Sequence, residues 1–235
     1  MFNPSPRIEC LPITPRQACW VIDDALLDPQ AWIEQAAAEA GAFREAAHNA
    51  FPGPERALPT TLSNALATFF DAHLRNRLGA RRTVRMHARF SLVARAPHTL
   101  APTQRIPHVD RLALEPGQRA FASVLYLFDD PALGGTAFYR PLRPPAEMIG
   151  LLRDSAQLDG DAFTARHGIG AGYPGPSEWF DRVLAVPARY NRLIAYDGTV
   201  FHAGQIDSPL RLSADPRQGR LTVNGFFVCR MPAAA

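Results

Sequence analysis

The chain of 235 residues has no lysine; all 25 of its basic residues are arginine. That excludes a Schiff-base nucleophile, a lysine-anchored pyridoxal cofactor and any phosphate-binding loop that depends on its lysine. Cysteine is scarce: Cys10, Cys19 and Cys229 are odd in number and show no CxxC or CxH spacing. This predicts reduced, buried thiols instead of a disulfide framework or a zinc site. No apolar run approaches the ~20 residues of a membrane span, and no stretch reads as a signal peptide. The formal charge of +3 is spread along the chain, with a local cluster only at Arg81, Arg82 and Arg85. No basic stripe therefore tracks a phosphate backbone. The expectation is a cytoplasmic protein that binds neither nucleic acid nor membrane, with its oligomeric state open.

Length is sufficient for one domain with a full core, burying roughly 70% of the unfolded surface. Residues 8–13 and 18–23 read as short strands interrupted by Pro12 and Pro15, and Asp28-Pro29 then supplies an N-cap and first-turn proline. Trp32, Ile33, Ala36, Ala37 and Ala40 form one apolar helix face, and 41–60 reads as a loop. A second helix, capped by Thr60 or Thr61 and ended by Gly79, carries Leu62, Leu66, Phe69, Phe70, Leu74 and Leu78 on one side. From Val84 the period becomes two: Val84, Met86, Ala88, Phe90 and Leu92 alternate with Arg85, His87, Arg89 and Ser91. His87 on that polar face reads first as a solvated or cavity-lining residue.

Further strands are predicted at Ala120–Phe128, Thr136–Tyr139, 192–196, 200–202 and 220–226, with Gly134-Gly135 admitting a tight return. Between Arg140 and Tyr190 prolines replace strand character, so this reads as an insertion with short helices near 146–156 and 177–184. Helices followed by about eight strands without βα alternation predict a mainly β fold with flanking helices, an antiparallel jelly roll. In this layout residues 1–82 are helical support and 83–229 the core of a single domain spanning 1–235.

The chemistry gathers at Pro107-His108-Val109-Asp110, where an imidazole and a carboxylate two residues apart in extended backbone point the same way. His202, in Thr199-Val200-Phe201-His202-Ala203-Gly204, supplies a third group. Two histidines and one carboxylate on one face of a metal leave open positions, the arrangement of non-haem Fe(II) oxygenases. His48, His73, His98 and His167 have no partner spacing of this kind.

The motifs HVD at 108–110, YLFDD at 126–130, GGTAF at 134–138, FHAG at 201–204 and GRLT at 219–222 occur in that order. Together they resemble the prolyl-4-hydroxylase-like branch of the 2-oxoglutarate- and Fe(II)-dependent dioxygenases, over residues 83–229. The resemblance implies a double-stranded β-helix (cupin-like) core, with His108, Asp110 and His202 as catalytic iron ligands and O₂ as co-substrate. It also implies an arginine for the distal carboxylate of 2-oxoglutarate. Arg211 lies nearer the spacing usual in that family, but Arg220 opens an apolar-alternating strand and Thr222 faces the same side, so Arg220 is favoured. Thr222 and Tyr126 complete the cofactor-binding candidates, although Tyr126 by its own pattern is a core or rim aromatic. An aspartate at position 110 fills the coordination position a halogenase would leave for chloride, which favours hydroxylation or desaturation.

The expected reaction is oxidation of a C–H bond in an amino acid, a peptide or protein side chain, or a small metabolite, with release of succinate and CO₂. A non-catalytic jelly-roll binding module and a cupin-type metalloenzyme without 2-oxoglutarate are the competing readings. Loops 41–60, 97–107 and the 140–190 segment are the expected pocket walls.

Overall fold

The computed structural model describes residues 1–45, 50–110 and 112–232. Its strands are β1 (Ile8–Thr14), β2 (Gln17–Ile22), β3 (Glu55–Ala57), β4 (Arg82–Val93), β5 (Gln118–Tyr126), β6 (Thr136–Pro141), β7 (Phe180–Val186), β8 (Leu193–Asp197), β9 (Phe201–Gly204) and β10 (Arg220–Arg230). The helices are α1 (Pro29–Ala38), α2 (Thr60–His73), α3 (Pro145–Gln157) and α4 (Gly160–His167). None is long and apolar enough to cross a membrane.

A large antiparallel sheet runs β1-β2-β8-β5-β10-β4-β3, and a small one runs β7-β6-β9. The small sheet gains a fourth, extended segment through the isolated bridge between His108 and His202. From β4 onward the chain passes from the large sheet to this segment, back to β5, across to β6 and β7, then β8, β9 and β10. The chain thus winds between two facing antiparallel sheets. It is a mainly β double-stranded β-helix with flanking helices.

Alternation along β10 explains how one strand serves two layers. Leu221, Val223 and Phe227 enter the outer core with Leu66, Phe69 and Phe70 of α2 and Trp32, Ile33 and Ala36 of α1. Phe70 and Phe227 stack face to face with centroids 3.7 Å apart. Arg220, Thr222, Asn224 and Phe226 point the other way, into the space between the sheets. A third cluster, including Met148, Leu151, Phe163, Trp179 and Phe180, packs α3 and α4 behind the small sheet.

Several local expectations need correction. The stretch 177–184 contains no helix; Phe180–Val186 is β7, whose ladder with β6 overrides its weak periodicity. The helical residues of this region are α3 and α4, the latter capped by the Asp159 side chain at Asp161 N and Ala162 N. Residues 41–60 include the short edge strand β3 as well as loop. No side chain caps α2: Pro59 precedes it, Thr60 is already helical, and the helix stops at His73, six residues before Gly79 turns the chain at φ 73°. Pro12 lies inside β1, which the sheet tolerates because β1 is an edge strand. Cys19 and Cys229 are buried free thiols, whereas Cys10 is exposed.

Candidate metal centre

His108 and His202 face each other as a hydrogen-bonded antiparallel pair, each backbone N–H donating to the other's carbonyl at 2.9 Å. Two residues on, Asp110 N–H donates to Gly198 O at 2.8 Å. These backbone ties bring one ligand atom each from His108, Asp110 and His202 within 4.8 Å of one another. The His rings lie 4.4 Å apart, centroid to centroid. His202 Nδ1–H donates to Val200 O at 2.8 Å, which fixes the tautomer and leaves the Nε2 lone pair facing Asp110 Oδ2 at 3.8 Å.

Asp110 Oδ2 is buried without a hydrogen-bond partner among the described residues. Burial raises the Asp110 pKa, against the opposing pull of His202, Arg89 and His87. Burial likewise holds His108 well below its ordinary value, helped by His202 and Arg89. A metal would require neutral imidazoles and an ionised carboxylate at these three positions. A Cβ at position 198 would sit 2.8 Å from Asp110 Oδ2, so Gly198 leaves the carboxylate its room. The donor set and the orphaned oxygen fit a divalent, oxygen- and nitrogen-preferring metal such as Fe(II).

The three groups line a cavity of about 490 Å³ together with Arg220 and Thr222. Arg220 is only 3% exposed. Its Nε donates to Leu133 O at 2.9 Å and one terminal nitrogen to Gly135 O at 2.7 Å, so the Gly134-Gly135 return aims the guanidinium. Gly134 adopts φ 71° with no space for a Cβ against the Gln205 carbonyl. Arg220 has no carboxylate partner among the described residues, and burial lowers its pKa. A buried guanidinium without a carboxylate partner is costly in a folded protein.

The other sequence candidates fall as follows. Thr222 Oγ1 reaches Ser91 O only at 3.4 Å and lines the cavity beside Arg220. Tyr126 is fully buried below that end, its hydroxyl donating to Thr136 Oγ1 at 2.8 Å, and Thr136 reaches the cavity in its place. Arg211 lies outside, paired with Asp130 at 2.8 Å through Nε. His87 lines the cavity. His167 instead bonds Asp154 at 3.0 Å between α3 and α4. His73 and His98 are away from the cavity, and His48 lies outside the described residues. All three expected wall segments contribute, through Phe51 and Pro52, through Thr103 and Gln104, and through Leu152, Ser155 and Tyr173. Tyr173, which no periodicity in the 140–190 segment singled out, ties that segment to the end of β4 by donating to Arg95 O at 2.6 Å.

A family profile matches residues 4–227 of this chain. The chain belongs to the family of unknown function DUF6445. No curated protein matches it. Among solved structures, this DUF6445 chain is similar to a Pseudomonas putida prolyl-4-hydroxylase, at 14% identity and TM-score 0.39, over 87% of this chain and 86% of that one. It is also similar to HygX from Streptomyces hygroscopicus with nickel and 2-oxoglutarate bound, at 10% identity and TM-score 0.44, over 89% and 82% of the two chains. A third is an N-substituted L-amino acid dioxygenase from Burkholderia ambifaria AMMD, at 12% identity and TM-score 0.36, over 89% and 80%.

Proposed function

We propose that this protein is an Fe(II)- and 2-oxoglutarate-dependent oxygenase acting on a C–H bond of an amino acid, a peptide or protein side chain, or a small metabolite. The observation that carries the reading is a pair of unmet needs in one cavity: among the described residues, Asp110 Oδ2 has no hydrogen-bond partner beside two histidines, and Arg220 is buried without a carboxylate. When bound, the metal with 2-oxoglutarate and O₂ supplies the oxidising chemistry, and succinate and CO₂ are the co-products.

The protein's part is binding and orientation. His108, Asp110 and His202 would hold the metal, with His202 kept in its tautomer by Val200 O. Arg220 would take the distal carboxylate of 2-oxoglutarate in a charge-assisted pair, which a lysine would not reproduce with the same fork. Thr222 adds a hydroxyl beside it, and Tyr126 acts from behind, through the Thr136 hydroxyl it bonds. Tyr196, whose ring meets His202 edge-on at 4.7 Å, keeps that side of the centre dry.

The test is an anaerobic titration of Fe(II)-loaded protein with 2-oxoglutarate. A weak visible metal-to-ligand charge-transfer band is expected in the wild type and not in His108→Ala. Iron bound by the wild type with no band on adding 2-oxoglutarate contradicts the reading.

A further inference from the structure

The cavity holds a second arginine that the metal and 2-oxoglutarate do not account for. Arg89 of β4 stands opposite Asn224 of β10, and His87 stands opposite Phe226. All four line the cavity. Along β10, position 224 is four residues from Arg220, which by strand spacing is about 13 Å. Arg89 therefore starts from a different part of the cavity wall than Arg220.

Arg89 is held in place without being used up. Its Nε meets Glu55 Oε1 at 2.8 Å, and its guanidinium carbon lies 4.7 Å over the Phe226 ring. The His87 ring stacks on the same phenyl group at 4.8 Å and 15°. The side chain keeps 28% of its surface exposed, and its two terminal nitrogens have no acceptor among the described residues. Arg89 lines the same cavity as His87, His108 and Asp110. The cavity lining also includes the apolar side chains of Phe51, Val109, Leu112 and Phe226.

We infer that the substrate is a small carboxylic acid with an apolar body, its carboxylate taken by the terminal nitrogens of Arg89 and its body laid against Phe226. The inference rests on the oxygenase reading and assigns that site its substrate class. Glu55 offsets part of the guanidinium charge, which suits a monoanionic carboxylate better than a dianionic phosphate. A cavity of about 490 Å³ is of small-molecule size.

The experiment uses Fe(II)-loaded protein in which the 2-oxoglutarate band has first been recorded, then measures succinate formation with matched pairs of acid and amide: hexanoate and hexanamide, 4-phenylbutyrate and 4-phenylbutanamide, L-leucine and L-leucinamide. At least one acid should stimulate succinate formation at a concentration about tenfold to hundredfold below its amide, the range expected of a hydrogen bond to a charged group. Arg89→Gln should remove that preference. Acids and amides acting alike, neither stimulating, or a preference that survives Arg89→Gln would overturn the inference. If Arg89→Gln does not fold, the wild-type comparison alone decides. Absence of the band is a different outcome: it removes the oxygenase reading itself, and its substrate with it.

Discussion

Asp110 is the residue at which folding and function pull apart. Its carboxylate is 7% exposed, one oxygen has no hydrogen-bond partner among the described residues, and burial raises its pKa. In metal-free protein the ionised form is therefore disfavoured by the fold. The cost is present at neutral pH and vanishes as pH falls through the raised folded value toward the unfolded one, where the group is neutral in both states. Asp110→Asn should accordingly raise the melting temperature of metal-free protein near pH 7 by about 2–4 °C, for a gain of roughly 1 kcal/mol. The gain should shrink as the pH is lowered, and metal binding should be lost. A metal-free variant that melts below the wild type at neutral pH contradicts this account of the carboxylate.

The elements around that residue divide into those a sequence can announce and those it cannot. The convergence of His108, Asp110 and His202 was readable because extended backbone puts residues i and i+2 on one side, and because His202 stands in a second short strand. The cavity face of β10 was readable from its alternation, which favoured Arg220 over Arg211; the structure puts the first in the cavity and the second on Asp130 outside it. Gly134-Gly135 was readable as a turn, but the Leu133 and Gly135 carbonyl groups that aim Arg220 were not, since those contacts span more than 80 residues. The segment between β6 and β8 was hardest. Phe180–Val186 gains its strand character from pairing with β6, and Tyr173 gains its role from one long-range bond to Arg95 O. Neither leaves a local period. Tyr173→Phe removes that bond, worth about 1 kcal/mol, so amide hydrogen exchange in 168–178 should quicken by roughly fivefold. Unchanged exchange there would show that the Tyr173 hydroxyl does not hold the segment to β4.

At the scale of the molecule, the two sheets do different work. The large sheet is backed by α1 and α2 and carries the cations Arg220 and Arg89 on its inner face. The small sheet is backed by α3 and α4 and carries His202, with the His108 segment bridged to it. A metal bound between them, 2-oxoglutarate at one end and a substrate at the other would each answer a charge or lone pair that the folded chain leaves unmet. If His108, Asp110, His202 and Arg220 form one site, the anaerobic affinity of Fe(II)-loaded protein for 2-oxoglutarate should depend on Arg220 and not on Arg211. Arg220→Gln should retain the metal but bind 2-oxoglutarate about 30-fold or more weakly, the low end for breaking a buried charge pair, while Arg211→Gln stays within about twofold of wild type. No binding by metal-loaded wild type, or loss with Arg211→Gln and not with Arg220→Gln, would contradict it.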